Sequence, residues 1–141
     1  PHDVDVILVH DAARPLVDRA TIDRCVLAAA AGVGAVAGVR VTDTLKEVEG
    51  GAEGPRILGT PDRTRFWRAQ TPQGFPADLL RRAVAREDLF DTATDDASLV
   101  EAIGGTVIMV EGHPNNLKVT RPEDVPVAEF HLARRGEGRS A

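Results

Sequence analysis

Two side chains suited to phosphate chemistry follow the first apolar run of the chain. The run covers residues 4–9, and the polar turn after it contains Asp11 and Arg14. A carboxylate can hold a divalent metal between phosphate groups, and a guanidinium can bind a phosphate through two parallel hydrogen bonds. In an open parallel sheet, ligands bind where central strands end, which is where this turn lies if the run is a central strand. The spacing is equally compatible with Asp11 capping a turn and Arg14 pairing with it on the surface.

Two later segments also carry side chains that bind phosphates or metals. Lys118 follows an Asn-Asn turn and is a candidate phosphate ligand, although a single lysine is more often simply solvated. The segment Thr94-Asp95-Asp96 has metal-binding side chains, but two acids in front of a predicted helix more often cap its N-terminus. His10 and His113 have no partner at metal-ligand spacing, so neither is predicted to be a ligand.

Several other chemistries lack support in the sequence. It contains no Ser-His-Asp order, no Gly-x-Ser-x-Gly motif and no nucleophilic-cysteine context. The glycine-rich residues 50–54 lie inside a predicted hairpin, whereas a phosphate-binding loop joins a strand to a helix. What remains is the set of phosphate-binding candidates named above. The residues alone therefore indicate an α/β domain in which the strand-end Asp11 and Arg14, with the later Thr94 and Lys118, could bind an anionic, phosphorylated ligand.

Alternating strands and helices position these residues. Apolar runs predict strands at residues 4–9, 35–41 and 106–110, and an alternating pattern predicts a projecting hairpin formed by residues 44–48 and 56–60. Helices are expected from the N-cap Asp18 to Gly32, from Pro76 onward, and over residues 95–103. A capping box of Thr120 and Glu123 predicts a final helix with a kinked or delayed start at Pro126, and residues 134–141 are expected to fray. The predicted fold class is α/β with a mostly parallel sheet.

Composition limits the class of protein. The 141 residues are 43% hydrophobic and 28% charged, which indicates one globular domain. The net charge of −5 and the absence of long basic runs argue against nucleic-acid binding, and no apolar stretch is suited to a membrane span. Cys25 is the only cysteine, so an internal disulfide is excluded. With no signal-like opening, we expect a cytoplasmic protein.

Six short motifs follow one another along the chain in an order typical of one enzyme family. They are residues 10–15 (His-Asp-Ala-Ala-Arg-Pro), 42–46 (Thr-Asp-Thr-Leu-Lys), 62–63 (Asp-Arg), 67–73 (Trp-Arg-Ala-Gln-Thr-Pro-Gln), 94–98 (Thr-Asp-Asp-Ala-Ser) and 116–124 (Asn-Leu-Lys-Val-Thr-Arg-Pro-Glu-Asp). Together they closely resemble the 2-C-methyl-D-erythritol 4-phosphate cytidylyltransferase family. The resemblance implies a Rossmann-like nucleotidyltransferase fold, transfer of a cytidylyl group from CTP in the non-mevalonate isoprenoid pathway, and a homodimer interlocked through an arm at residues 42–66.

The resemblance also implies roles for individual residues. Asp11 and Lys118 would be catalytic, with Asp11 binding Mg²⁺ and, together with Ala12, the CTP cosubstrate. The substrate-binding set would be Asp11, Arg14, Thr44, Arg63, Thr71, Thr94 and Lys118. Within that set, Arg63 would reach from one subunit to the substrate phosphate in the other.

One large departure from the family pattern leaves alternatives open. The glycine-rich CTP-binding loop with its Arg and Lys is not in this sequence, so residues 1–133 are interpreted as the carboxyl-terminal part of the enzyme domain, unable to turn over CTP alone. The tail at residues 136–139 is also compatible with a linker to a cyclodiphosphate synthase domain. The competing functions are a cytidylyltransferase for another polyol phosphate, such as ribitol 5-phosphate, and a non-catalytic dimerisation fragment.

Overall fold

A computed structural model describes residues 3–51 and 54–137. Its elements in chain order are β1 (Val6–Val9), α1 (Arg19–Ala30), β2 (Gly34–Arg40), β3 (Glu47–Glu49), β4 (Arg56–Gly59), β5 (Trp67–Pro76), α2 (Ala77–Val84), α3 (Asp96–Ala102), β6 (Val107–Glu111) and α4 (Asp124–Glu137). Single 3-10 turns lie at Arg63–Arg65 and Glu87–Leu89. This alternation confirms the α/β class.

The main sheet has four strands in the order β1-β5-β2-β6. Strands β1, β2 and β6 run in one direction, while β5 lies antiparallel between β1 and β2. Three of the four strands thus share one direction, in line with the expected mostly parallel sheet, while β5 makes the sheet mixed, and within the described residues only the β2–β6 pairing is parallel. Within the described residues, β1 pairs with β5 on one side only. An apolar run reveals burial on both faces but not the number of neighbouring strands.

Helices cover both faces of the sheet. Phe75 and Val36 belong to a buried cluster with residues of α2 and α3, including Leu80 and Val100. The alternate residues Ala35 and Ala37 point to the opposite face, where they pack with Cys25 of α1. Because both faces are buried, the register of the central strands is fixed. The positions of the side chains at the strand ends are fixed with it.

The predicted limits of α1 are confirmed. The Asp18 carboxylate accepts a hydrogen bond of 2.7 Å from the backbone N–H of Thr21, which is the N-cap geometry. Just after the helix, Gly32 has a φ of +91°, a conformation that favours glycine.

The start of α4 is delayed, as expected, but its cap differs from the prediction. The Asp124 carboxylate, rather than that of Glu123, accepts from the backbone N–H groups of Thr120 and Arg121, each at 2.9 Å. Pro126 lies in the first helical turn, where its missing N–H removes no intrahelical bond.

The expected frayed tail is helical over its first part, because α4 continues to Glu137. Arg135 anchors this part of the helix by donating hydrogen bonds to the backbone carbonyls of Leu16 and Val17. The remaining tail residues, 138–141, lie outside the described residues. No helix in residues 3–51 and 54–137 has both the length and the apolarity to cross a bilayer.

The predicted hairpin forms a separate two-stranded sheet. In the part of the chain that the structure describes, strands β3 and β4 pair only with each other, with Val48 opposite Ile57. Val48, Ile57, Leu58 and the nearby Phe66 are all exposed. We call residues 42–66 the arm, using the limits predicted from the sequence.

Candidate functional site

Five of the predicted site residues line one crevice at the end of β1. Its volume is about 350 Å³, and its walls include Asp11, Arg14, Thr71, Thr94 and Lys118. These residues come from four separate chain segments. The turn after β1, strand β5, the loop before α3 and the segment after β6 therefore meet at one edge of the sheet.

The Asp11 carboxylate is held by two cations. Its Oδ2 atom lies 3.2 Å from Arg14 Nε and 3.2 Å from Lys118 Nζ. Arg14 also donates a hydrogen bond of 2.8 Å to the backbone carbonyl of Asn116, which fixes its guanidinium against the segment that carries Lys118. The Arg14 side chain is only 13% exposed, so this pair lines the crevice and is not a solvated surface pair.

These contacts set the ionisation of Asp11. Partial burial raises the pKa of its carboxyl group, but hydrogen bonding and attraction from Lys118, and then from Arg14, outweigh burial. The resulting pKa of Asp11 is below its ordinary value. The crevice therefore presents an ionised carboxylate next to two cations, a charge pattern that suits a metal–phosphate complex.

Thr71 connects β5 to the turn that carries Asp11. Its Oγ1 accepts a hydrogen bond of 2.9 Å from the Asp11 backbone N–H and lies 2.9 Å from His10 Nδ1. The other ring nitrogen of His10, Nε2, lies 3.0 Å from the Arg14 carbonyl oxygen. The sequence did not mark His10 as functional, because only metal-ligand spacing was considered for it.

A buried glutamine positions the loop before α3. Gln73 donates a hydrogen bond of 2.7 Å to Asp95 Oδ2 and accepts one of 2.9 Å from the Ala97 backbone N–H. Asp95 in turn caps α3 by accepting from the Ser98 N–H at 2.9 Å, in a reciprocal capping box. The capping interpretation of Asp95 is thereby confirmed, and exposed Thr94 is left at the rim of the crevice.

Buried amides support the floor of the crevice. Asn116 is fully buried and donates a hydrogen bond of 2.8 Å to the Thr71 carbonyl. Gln70 donates one of 3.0 Å to the His113 carbonyl, and its own side chain is buried. Sequence reasoning missed Gln70, Gln73 and Asn116. No local signal in the sequence marks them, because their roles depend on partners distant in the chain.

A smaller pocket of about 250 Å³ adjoins the crevice and shares Arg14, Gln70 and Lys118 with it. Arg68 adds a third cation to this pocket, and none of the described carboxylates lines it. The pair of pockets thus has a mixed-charge part around Asp11 and a cationic part around Arg68. Sequence reasoning missed Arg68, because a single arginine in a strand carries no specific signal.

Three predicted site residues do not line the crevice of their own chain. Thr44 and Arg63 lie in the arm, both exposed, and Arg63 donates a hydrogen bond of 2.9 Å to the Thr42 carbonyl. Ala12 lines a separate apolar groove against α4. A further cavity of about 730 Å³ between α1 and α4 is lined by none of the predicted site residues.

Asp11 is suited to bind a magnesium ion that is shared with substrate phosphates. Among residues 3–51 and 54–137, no group of three or more His, Cys, Asp or Glu side chains is arranged to hold a metal. Magnesium needs no such group when it binds through one or two carboxylates together with substrate phosphates and water. Both described cationic contacts of the Asp11 carboxylate use Oδ2, which leaves Oδ1 for a metal ion carried by a phosphate ligand.

Comparisons with known proteins identify the family of this chain. The family model for 2-C-methyl-D-erythritol 4-phosphate cytidylyltransferase (IspD) matches residues 1–134. The chain belongs to this family. The cytidylyltransferase of Acidobacterium capsulatum is 46% identical over 132 residues, and that of Streptomyces avermitilis is 47% identical over 139 residues. These alignments cover 93% and 96% of the chain but 55% of each relative, so the chain spans about half the length of the curated relatives it matches.

Solved structures of the family confirm the predicted Rossmann-like nucleotidyltransferase fold. The crystal structure of 2-C-methyl-D-erythritol 4-phosphate cytidylyltransferase from Thermus thermophilus superposes with a TM-score of 0.77 at 43% identity. The superposition covers 94% of this chain and 63% of that one. The described strands therefore correspond to part of a larger family fold.

Proposed function

We propose that the full-length protein transfers a cytidylyl group from CTP to 2-C-methyl-D-erythritol 4-phosphate and releases pyrophosphate, as a step of the non-mevalonate isoprenoid pathway. The observation that carries this proposal is the convergence of Arg14 and Lys118 on the Asp11 carboxylate at a strand end, in a chain of this family. A crevice with both charge signs can bind a phosphorylated substrate together with a divalent cation.

The proposed reaction is a substitution at phosphorus. A phosphate oxygen of the polyol phosphate forms a bond to the α-phosphorus of CTP, and the bond from that phosphorus to the bridging oxygen of pyrophosphate breaks. Negative charge accumulates on the phosphoryl oxygens in the transition state, and the fixed cations Arg14 and Lys118 stabilise it without reorganising. Magnesium bound at Asp11 would supply further positive charge at the same point. Asp11 and Ala12 are proposed to contact the CTP.

The proposal includes a homodimer assembled through the arm. Val48, Ile57, Leu58 and Phe66 are between 42% and 59% exposed, which is unusual for apolar side chains so close in the fold. Burial of these residues against a second copy would place the exposed Thr44 and Arg63 near the partner's crevice. Arg63 would then bind the phosphate of the polyol substrate from the neighbouring subunit. We also propose that the enzyme works in the cytoplasm.

The test is a substrate panel on the full-length protein. Purified protein is incubated with CTP and Mg²⁺ and with 2-C-methyl-D-erythritol 4-phosphate, ribitol 5-phosphate or no acceptor, and pyrophosphate release is measured together with the mass of the nucleotide product. The proposal expects rapid release and a cytidine diphosphate adduct with the first acceptor only. Preference for ribitol 5-phosphate would replace the proposed substrate, and no release with either acceptor would contradict the proposed activity.

A further inference from the structure

The inference concerns the direction of the hydrogen bonds around Thr71. A threonine hydroxyl has one proton to donate and two lone pairs that accept. One lone pair receives the Asp11 backbone N–H at 2.9 Å, and that direction is fixed because an amide nitrogen only donates. The remaining contact within the described residues, 2.9 Å to His10 Nδ1, depends on which ring nitrogen of His10 carries the proton.

In the neutral ring, the second contact of His10 determines which ring nitrogen carries the proton. His10 Nε2 lies 3.0 Å from the Arg14 carbonyl oxygen, which can only accept a hydrogen bond. Nε2 must therefore carry the proton, and in a neutral imidazole the other nitrogen, Nδ1, is then an acceptor. Consequently the Thr71 hydroxyl donates to His10 Nδ1.

This assignment limits what Thr71 can offer a ligand. Its proton is used by His10 and one lone pair is used by Asp11, so a single lone pair remains towards the crevice that Thr71 lines. A lone pair attracts a hydroxyl proton and repels a phosphate oxygen. A threonine in a phosphate site would ordinarily be expected to donate, and here that donor is already used.

We propose that His10 is a positioning residue that holds the Thr71 hydroxyl as a hydrogen-bond acceptor, so that Thr71 recognises a hydroxyl group of the polyol phosphate and not its phosphate. This inference rests on the proposed function and specifies which part of the substrate Thr71 selects. It also leaves the phosphate to the cationic side chains of the crevice, Arg14 and Lys118, which contact the Asp11 carboxylate.

Two substitutions separate the contacts of His10. In His10→Asn, the side-chain oxygen occupies the place of Nδ1 and still accepts from Thr71, but the contact with the Arg14 carbonyl is lost. In His10→Gln, the side-chain nitrogen reaches the place of Nε2 and still donates to that carbonyl, but Thr71 loses its acceptor. The matched control is His131→Gln, on α4 and outside the crevice.

The variants are compared in the full-length enzyme by steady-state kinetics. Losing one neutral hydrogen-bond partner is expected to raise KM for the polyol phosphate about fivefold in His10→Gln, with KM for CTP within about twofold. His10→Asn is expected to restore most of the loss. Equal impairment of the two His10 variants would overturn the proposal, because the Arg14 carbonyl contact would then be the one that matters.

A double substitution tests whether His10 acts through Thr71. If it does, Thr71→Val alone and Thr71→Val combined with His10→Gln should have the same KM for the polyol phosphate, because the hydroxyl that His10 orients is already gone. Multiplying effects in the double variant would overturn the proposal. In the wild-type protein, one deoxy analogue of the substrate should bind more weakly, and His10→Gln should reduce that discrimination.

A spectroscopic measurement keeps the inference testable if a variant fails to fold. The ¹⁵N spectrum of the wild-type histidine ring should show Nε2 protonated and Nδ1 unprotonated for His10. The opposite tautomer, or a ring protonated at both nitrogens under assay conditions, would overturn the proposal. A wild-type protein with this tautomer but without cytidylyl transfer would instead contradict the proposed function.

Discussion

The crevice and the arm differ in how they are held in place. Crevice side chains are fixed by a framework inside the chain, in which Gln73, Asn116 and Thr71 each bond to a segment distant in sequence. The arm has its own two-stranded sheet, and its apolar side chains face outward. An isolated two-stranded hairpin is at best marginally stable in water. The difference fits the proposal that a partner subunit covers the arm, whereas the described crevice residues are held within one chain.

The largest expected effect is in the crevice. Asp11→Asn keeps the size of the side chain but removes its charge, so kcat of the full-length enzyme should fall about 100-fold or more. The thermal unfolding midpoint should fall only slightly, because the Asp11 side chain is 33% exposed and ion pairs of such side chains contribute little stability. Near-wild-type turnover at saturating Mg²⁺ would leave Asp11 as a merely structural ion-pair residue.

Charged substitutions in the arm should change the assembly of the protein and not its folding. Ile57→Asp together with Leu58→Asp places charge in the proposed interface, so the mass in solution should shift from dimer to monomer. The matched control is Leu27→Asp on α1, where the side chain is 70% exposed. The arm is not the interface if the double variant remains dimeric, or if the control dissociates equally.

A smaller effect should come from the framework of the crevice. Asp95→Ala removes the cap of α3 and leaves the Gln73 side-chain N–H without its acceptor, so the free energy of unfolding should fall by about 1–2 kcal/mol. Asp96→Ala is the neighbouring control, since Asp96 lies in the first turn of α3 and is not its cap. Denaturant unfolding of both variants measures the difference, and equal losses would contradict the role given to Asp95.

The smallest effect is a shift in an ionisation. Lys118 is the leading cause that lowers the pKa of Asp11, whereas burial raises it, so Lys118→Met should raise that pKa. The folded-state pKa of Asp11 lies below its ordinary value. The ion pair therefore stabilises the fold at pH values above that ordinary pKa. The contribution is lost as pH falls through the folded-state pKa. A carboxyl ¹³C titration measures the change, and an unchanged titration would show that Lys118 does not act on Asp11.

The sequence predicted these two regions to different extents. Apolar runs and caps such as Asp18 are local signals, so the elements and the hairpin were predictable, as was the crevice position of Asp11. The antiparallel direction of β5 was not, because strand direction depends on pairing between distant residues. The roles of Gln73 and Asn116 were also hidden, since a buried amide has meaning only through the partners that folding brings to it.

The most direct test of the central claim is activity in mixed dimers of the full-length enzyme. Arg63→Ala disables the arm contribution and Asp11→Asn disables the crevice. If the arm serves the partner's site, a heterodimer of the two variants has both defects in one site and none in the other. We therefore predict that mixing and subunit exchange restore cytidylyl transfer well above the sum of the two homodimers. Confirmed exchange without any gain in activity would show that Arg63 acts within its own subunit and would contradict the account.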